Sequence, residues 1–314
     1  MAGIRLTALP VLAFIAACLL AASPAGATGH KPDEHLREAR FHNVAWRLAK
    51  GNAPFCASSW ASIGLTLGAT ETQHDKFFVL AVAPDSPAER AGLVAGNEII
   101  SLEGMDYDFR AKSSEETGDR LYRIHRAIET LLDEAGSLSL TWQDAHRGRQ
   151  EAVVEAQGVC PSRFLTREGK RIGADGVNVR FGKGFAGFEY PEDEFAAAIA
   201  HELAHNLMGH PYWLDREGRK RSNIRMTERE ADRLMPWLLA NAGYDPHAAR
   251  RFMERWGPRH GGGLLRKRTH DGWDERADSI DSEVALVEQL WESEGAADWR
   301  ARFEREEGLA EASP

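Results

Sequence analysis

The pentapeptide His201-Glu202-Leu203-Ala204-His205 constrains this chain more than any other stretch. On a helix, two imidazoles four residues apart project from one face, where both can reach a single metal ion. Glu202 then lies about 100° around the axis, near enough to touch a metal-bound water without ligating the ion. The flanks read as a helix. Pro191 with Glu192, Asp193 and Glu194 forms its start, because proline suits the first turn and carboxylates suit the positive end of the dipole. Gly209 forms its end. Ala196, Ile199, Leu203 and Leu207 make one apolar stripe, and His201, His205 and Met208 fall on the opposite side.

A catalytic zinc takes three protein ligands and keeps its fourth position for water. His210 comes five residues after His205, one short of the metzincin spacing, and Met208 stands where that pattern has glycine. His210 therefore reads as a helix-end residue whose charge suits the C-terminus. The better candidate is Thr227-Glu228-Arg229-Glu230-Ala231-Asp232, read as the opening of a second helix. Thr227 and Glu230 make a capping box there, which leaves Glu230 a structural role. Glu228 and Asp232, one turn apart, share a face: Glu228 for the metal, Asp232 for the far nitrogen of a ligand histidine. His210 and Glu230 stay open as alternatives for the third ligand.

The series HELAH, EREAD, Ala242-Gly243-Tyr244-Asp245-Pro246 and Thr269-His270 resembles the gluzincin metallopeptidases of the HtpX-like and CAAX prenyl protease family, especially its bacterial periplasmic members. The resemblance covers about residues 160–290. It implies one Zn2+ per chain on His201, His205 and Glu228, with Asp232 behind a ligand histidine and polypeptides, including misfolded envelope proteins, as substrates. Glu202 is then the general base. Two departures stand out. The family's Thr-His-Pro is Thr269-His270-Asp271 here, with Arg276 further on, and Pro236 is expected to kink the second helix after little more than two turns. His270, preceded by a Gly261-Gly262-Gly263 hinge, is the candidate donor for transition-state charge or a gating contact. Val177, Val179 and Phe181 alternate as a strand that is either a peptide-binding edge or an ordinary core strand.

The upstream half has another pattern. Ile63-Gly64-Leu65, Phe78–Val82, Asp85-Ser86-Pro87-Ala88-Glu89-Arg90-Ala91-Gly92-Leu93 and Gly96–Leu102 alternate strands with tight turns and one short helix. A helix over 120–132, with Leu121, Ile124, Ile128 and Leu131 on one side, and strands over 137–142 and 152–156 complete the set. This order resembles a bacterial PDZ domain, with Asn97 where aspartate is usual. The resemblance implies capture of peptide tails by strand addition, with Ser62, Ile63, Gly64 and Leu65 as the carboxylate-holding loop. The alternative is a spacer that binds nothing. The expected fold class is α+β: a mainly helical gluzincin peptidase domain with a small sheet (160–314), preceded by a β-rich PDZ-like domain (53–159).

A net charge of −9 with no basic face argues against nucleic-acid binding. The one basic cluster, Arg216, Arg219, Lys220, Arg221 and Arg225, reads as a solvated loop between the two metal helices. Arg5, the apolar run over 6–22 and Ala25-Gly26-Ala27 have the three parts of a secretory signal, with cleavage after Ala27 and export to the periplasm expected. Ile15-Ala16-Ala17-Cys18 also fits a lipoprotein signal, which would anchor the chain to the membrane through Cys18. Cys56 and Cys160 bracket the PDZ-like segment and invite a disulfide, two buried thiols being the alternative. Residues 28–52 read as an N-terminal amphipathic helix, with Leu36, Ala39, Val44 and Leu48 available for packing. A non-enzymatic adaptor with a structural or occluded zinc is the second reading of the whole.

Overall fold

Leu48 and Phe41 have no exposed surface and Val44 almost none, so the first helix, α1 (Pro32–Asn52), is a core element. Leu36 departs from the expected packing stripe and is 70% exposed. The computed structural model describes residues 32–69, 76–105, 114–260 and 272–309. The signal segment, Cys18, the Gly261-Gly262-Gly263 hinge and Thr269-His270-Asp271 lie outside the described residues. The described residues are mixed α+β, 53% helix and 21% strand, with several sheets. Among the described residues, no helix is long and apolar enough to cross a membrane.

The larger core surrounds α4 (Glu192–Leu207). Ala196, Ala197, Ala198, Ala200 and Ala204 are fully buried, and side chains this small let neighbouring helices approach closely. The helix is thus enclosed nearly all round instead of carrying one core stripe, and Leu207 is only partly buried. Packed against it are α1, α6 (Arg221–Asn241) and α7 (Ala248–His260), while α8 (Trp273–Glu294) covers α6 and α7. At its N-terminus Glu194 is buried and paired with Arg255 of α7. Its C-terminus ends on Gly209, whose φ of 69° turns the chain sharply into α5 (His210–Glu217). The basic cluster expected in a loop lies instead on α5, on the segment joining it to α6, and on the first turns of α6.

One sequence expectation about α6 is overturned. The helix begins at Arg221, so Thr227 is an interior residue whose hydroxyl donates to the Ile224 carbonyl, and no capping box forms. The helix continues through Pro236 to Asn241. A three-stranded sheet flanks this core: β8 (Arg163–Arg167), β9 (Ile172–Ala174) and β10 (Asn178–Gly182), in the order β8-β10-β9. The strand holding Val179 and Phe181 is the central one, fully buried at both residues; β9 is an edge and packs on α4.

A second cluster gathers around an antiparallel sheet ordered β2-β3-β4-β5-β6: β2 (Leu65–Ala69), β3 (Phe77–Val82), β4 (Glu98–Leu102), β5 (Ser137–Asp144) and β6 (Gly148–Glu155). The short helix α2 (Pro87–Arg90) starts on Ser86, whose hydroxyl accepts the Glu89 amide. Asn97 accepts the Val94 amide and donates to Asp144, which ties the turn before β4 to the end of β5. The helix α3 (Ser114–Ala135) is longer than the 120–132 span and buries Ile124, Ile128 and Leu132 on the sheet. β1 (Trp60–Ser62) and β7 (Gln157–Val159) pair where the chain enters and leaves this unit. Beside them Cys56 and Cys160 are disulfide-bonded, with a Cα–Cα distance of 5.6 Å.

Candidate metal centre

His201 and His205 lie on successive turns of α4, and Glu228 reaches them from α6, which packs against α4. His201 Nε2 and His205 Nε2 are 3.2 Å apart, and each lies 3.6 Å from a Glu228 carboxylate oxygen. Zinc bonds of about 2.0–2.2 Å at tetrahedral angles place neighbouring ligand atoms about 3.3–3.6 Å apart. The two imidazole nitrogens are close to that separation, and each faces a different Glu228 oxygen, Oε2 for His201 and Oε1 for His205, so the three side chains are placed to share one ion. Among the described residues this is the one group of His, Cys, Asp and Glu with donor atoms placed to hold a metal ion.

Each histidine is braced at its other nitrogen. Asp232 Oδ1 stands 3.1 Å from His201 Nδ1, an ion-pair contact more than an aligned hydrogen bond. Asp232 is fully buried and clamped by Arg276 of α8, whose Nη2 donates to Oδ1 at 2.8 Å and whose Nε donates to Oδ2. Burial alone would raise the Asp232 pKa; Arg276 and His201 outweigh it and hold it below the usual carboxylate range. His205 Nδ1 lies 2.9 Å from His210 Nδ1, and His210 Nε2 lies 2.7 Å from Glu230 Oε2. His210 is thus no exposed cation at a helix end. It is completely buried at the start of α5, and burial lowers its pKa despite the nearby Glu230.

Burial alone would lower the His201 pKa, but the facing Asp232 and Glu228 carboxylates push it up to about 10. His205 is held well below 6.5, by burial first and by its charged neighbour His201 second, so its ring keeps a lone pair for a metal. Glu202 is buried beside them, and its pKa is pushed up to about 7 by burial, with His201 and Arg167 lowering it and Glu228 raising it. A carboxyl poised near neutrality is suited to taking and returning a proton at physiological pH.

The predicted residues His201, Glu202, His205, Glu228 and Asp232 are brought together, whereas His270 lies outside the described residues. Sequence reasoning had no role for Arg305, which donates to Glu230 at 2.8 Å from 75 residues away, nor for Arg276 beyond its displacement along the chain. It also gave Glu230 a cap to make, when the carboxylate accepts from His210, Arg305 and the Glu306 amide.

The predicted peptide-binding residues Ser62, Ile63, Gly64 and Leu65 line a different cavity, of about 730 Å³, between β2, α3, α1 and β8. Gly64 has a φ of 71° and packs so tightly that an added Cβ would fall 2.4 Å from the Ser86 Cβ and 3.3 Å from the Trp46 ring. The loop is thus backed by α1. On the β2 edge, the Leu67 amide donates to His125 Nε2 at 3.1 Å, and His125 Nδ1 lies 3.0 Å from the Leu121 carbonyl. None of the metal-site residues lines this cavity.

Comparison with family profiles, curated proteins and solved structures finds no match for this chain.

Proposed function

We propose that the chain is an exported zinc-dependent endopeptidase of gluzincin type with an attached PDZ-like module. The observation that carries this reading is the His201–His205–Glu228 triangle, whose donor set and spacing suit zinc, set beside a buried carboxylate that is not one of its corners. A zinc ion held there would supply Lewis acidity and lower the pKa of its water towards neutrality. Glu202 takes up the proton released when water attacks the peptide carbonyl and returns it to the leaving amine. Asp232 and His210 keep the two imidazoles turned to the same corner. An extended substrate strand adds to the β9 edge, the edge packed against α4, and the cavity beside β2 holds a second stretch of polypeptide. Export to the periplasm, as a soluble or Cys18-anchored protein, rests on the sequence of residues 1–27.

Glu202→Gln tests the reading most directly. The expected outcome is a folded protein with the parent zinc content and cleavage of a casein-type unfolded substrate reduced by about 10²–10⁴-fold. Cleavage at the parent rate by this variant would refute the mechanism. Glu228→Ala is expected to lose zinc measured by atomic absorption after dialysis; unchanged content moves the third ligand elsewhere. A parent that binds zinc and peptides yet cleaves nothing in a peptide library is the adaptor instead.

A further inference from the structure

The two ligand histidines of the proposed site are braced differently. His201 faces a carboxylate, whereas His205 faces another imidazole, that of His210. Two ring nitrogens 2.9 Å apart make a hydrogen bond only if one carries a proton and the other does not. The next link decides which. Glu230 has no exposed surface, and its carboxylate accepts from Arg305 at 2.8 Å, from the Glu306 amide at 2.8 Å and from His210 Nε2 at 2.7 Å. Its oxygens are acceptors, so His210 donates from Nε2; in the neutral form that complete burial of the ring favours, His210 Nδ1 is then bare. His205 must then donate from Nδ1, which leaves its Nε2 lone pair directed at His201 and Glu228.

We propose that His210 is a positioning residue: it fixes the tautomer and ring angle of His205, and is fixed in turn by Glu230 and the Arg305-Glu306 segment. Local geometry explains how the chain achieves this. The left-handed Gly209 turns the backbone between His205 and His210, and the two rings meet edge to face with centroids 4.9 Å apart. Arg305 closes the arrangement by also donating to the Met208 carbonyl at 3.0 Å, so one guanidinium holds both the helix end and the carboxylate beneath it. The effect on metal binding rests on the zinc reading above, but the placement of the protons does not.

The test compares His210→Asn with His210→Gln in the full chain. The Asn amide oxygen takes the place of Nδ1 and can accept from His205; the Gln amide reaches the Nε2 position and serves only Glu230. Outer hydrogen bonds to ligand histidines are worth about 10–100-fold in metal affinity. Zinc competition against a chromophoric chelator is therefore expected to show Gln weakened by about that factor and Asn keeping most of the parent affinity. The cobalt-substituted absorption spectrum should shift in the Gln variant and not in the Asn variant. Equal affinities and equal spectra for the two would overturn the proposal, since a packing role treats these amides alike. A measurement on the parent serves if either variant fails to fold: ¹⁵N–¹H long-range correlation, with or without zinc, should place the protons on His205 Nδ1 and His210 Nε2. A proton on His210 Nδ1 overturns it. A parent with no affinity for zinc refutes the zinc reading instead, and leaves the proton positions to be read from the same spectrum.

Discussion

Replacing Arg276 with methionine keeps most of the side chain's length and removes its charge from a pocket where only 5% of the residue is exposed. Asp232, with no exposed surface, loses both guanidinium contacts and keeps its contact with His201 Nδ1. Removing one member of a buried ion pair costs about 3–5 kcal/mol, because the remaining charge is left desolvated. At about 2–4 °C per kcal/mol for a domain of this size, the melting temperature should fall by roughly 6–20 °C. Asp232, now free to protonate or turn, should also hold His201 less firmly and weaken zinc binding by about 10–100-fold. The double variant Arg276→Met, Asp232→Leu separates the two effects. It removes the stranded carboxylate, so stability should recover towards the parent while zinc affinity stays low. Urea unfolding gives the first quantity and chelator competition the second. An Arg276→Met protein within about 1 kcal/mol of the parent, or a double variant no more stable than the single, would refute the reasoning.

The disulfide closes a span of 104 residues, so Cys56→Ser with Cys160→Ser should lower stability by about 2–5 kcal/mol in urea titration; an unchanged midpoint would argue against the bond. Acid should weaken the cavity beside β2. Burial, reinforced for His42 by repulsion from His125, holds the His42 pKa down to about 3, and burial outweighs the Leu121 contact to hold His125 down to about 4. Because unfolded imidazoles titrate near 6.5, the unfolded chain binds these protons first: stability is full above about pH 6.5 and falls as pH drops towards 4. The full His125 shift corresponds to about 3.4 kcal/mol, and roughly half of that is expected because the ring is only partly buried and lines a cavity. Unfolding at pH 7 and pH 4.5 should show a smaller loss in His125→Gln than in the parent; equal losses would remove the histidine from the account.

The metal helix was legible because its signals are local. Imidazole spacing, acidic first turn and terminal glycine all fall within the span from Pro191 to Gly209. The start of α6 was misplaced because Thr-x-x-Glu is a cap only where the backbone is not already helical, and α6 begins six residues earlier at Arg221. The alternation of Val179 and Phe181 marked a strand without revealing its neighbours: pairing on both sides by β8 and β9 is a tertiary fact. Arg276 and Arg305 were illegible for the same reason. Their carboxylate partners lie 44 and 75 residues away, and no spacing rule links positions that far apart. His210 was misread because a histidine after a helix looks solvated until a left-handed turn folds it inward.

Asn52, the last residue of α1, has a consequence for the order of events during synthesis. Its side-chain Nδ2 donates to the Leu238 carbonyl, and its side-chain Oδ1 accepts from Asn241 Nδ2 and from the Trp299 indole, each at about 3 Å. Partners 186 to 247 residues away cannot be met until nearly the whole chain has emerged. The joint between α1 and α6, on which α4 also rests, therefore closes late. An emerging chain therefore carries His201 and His205 on α4 before the joint that holds α6, and with it Glu228, against them can close.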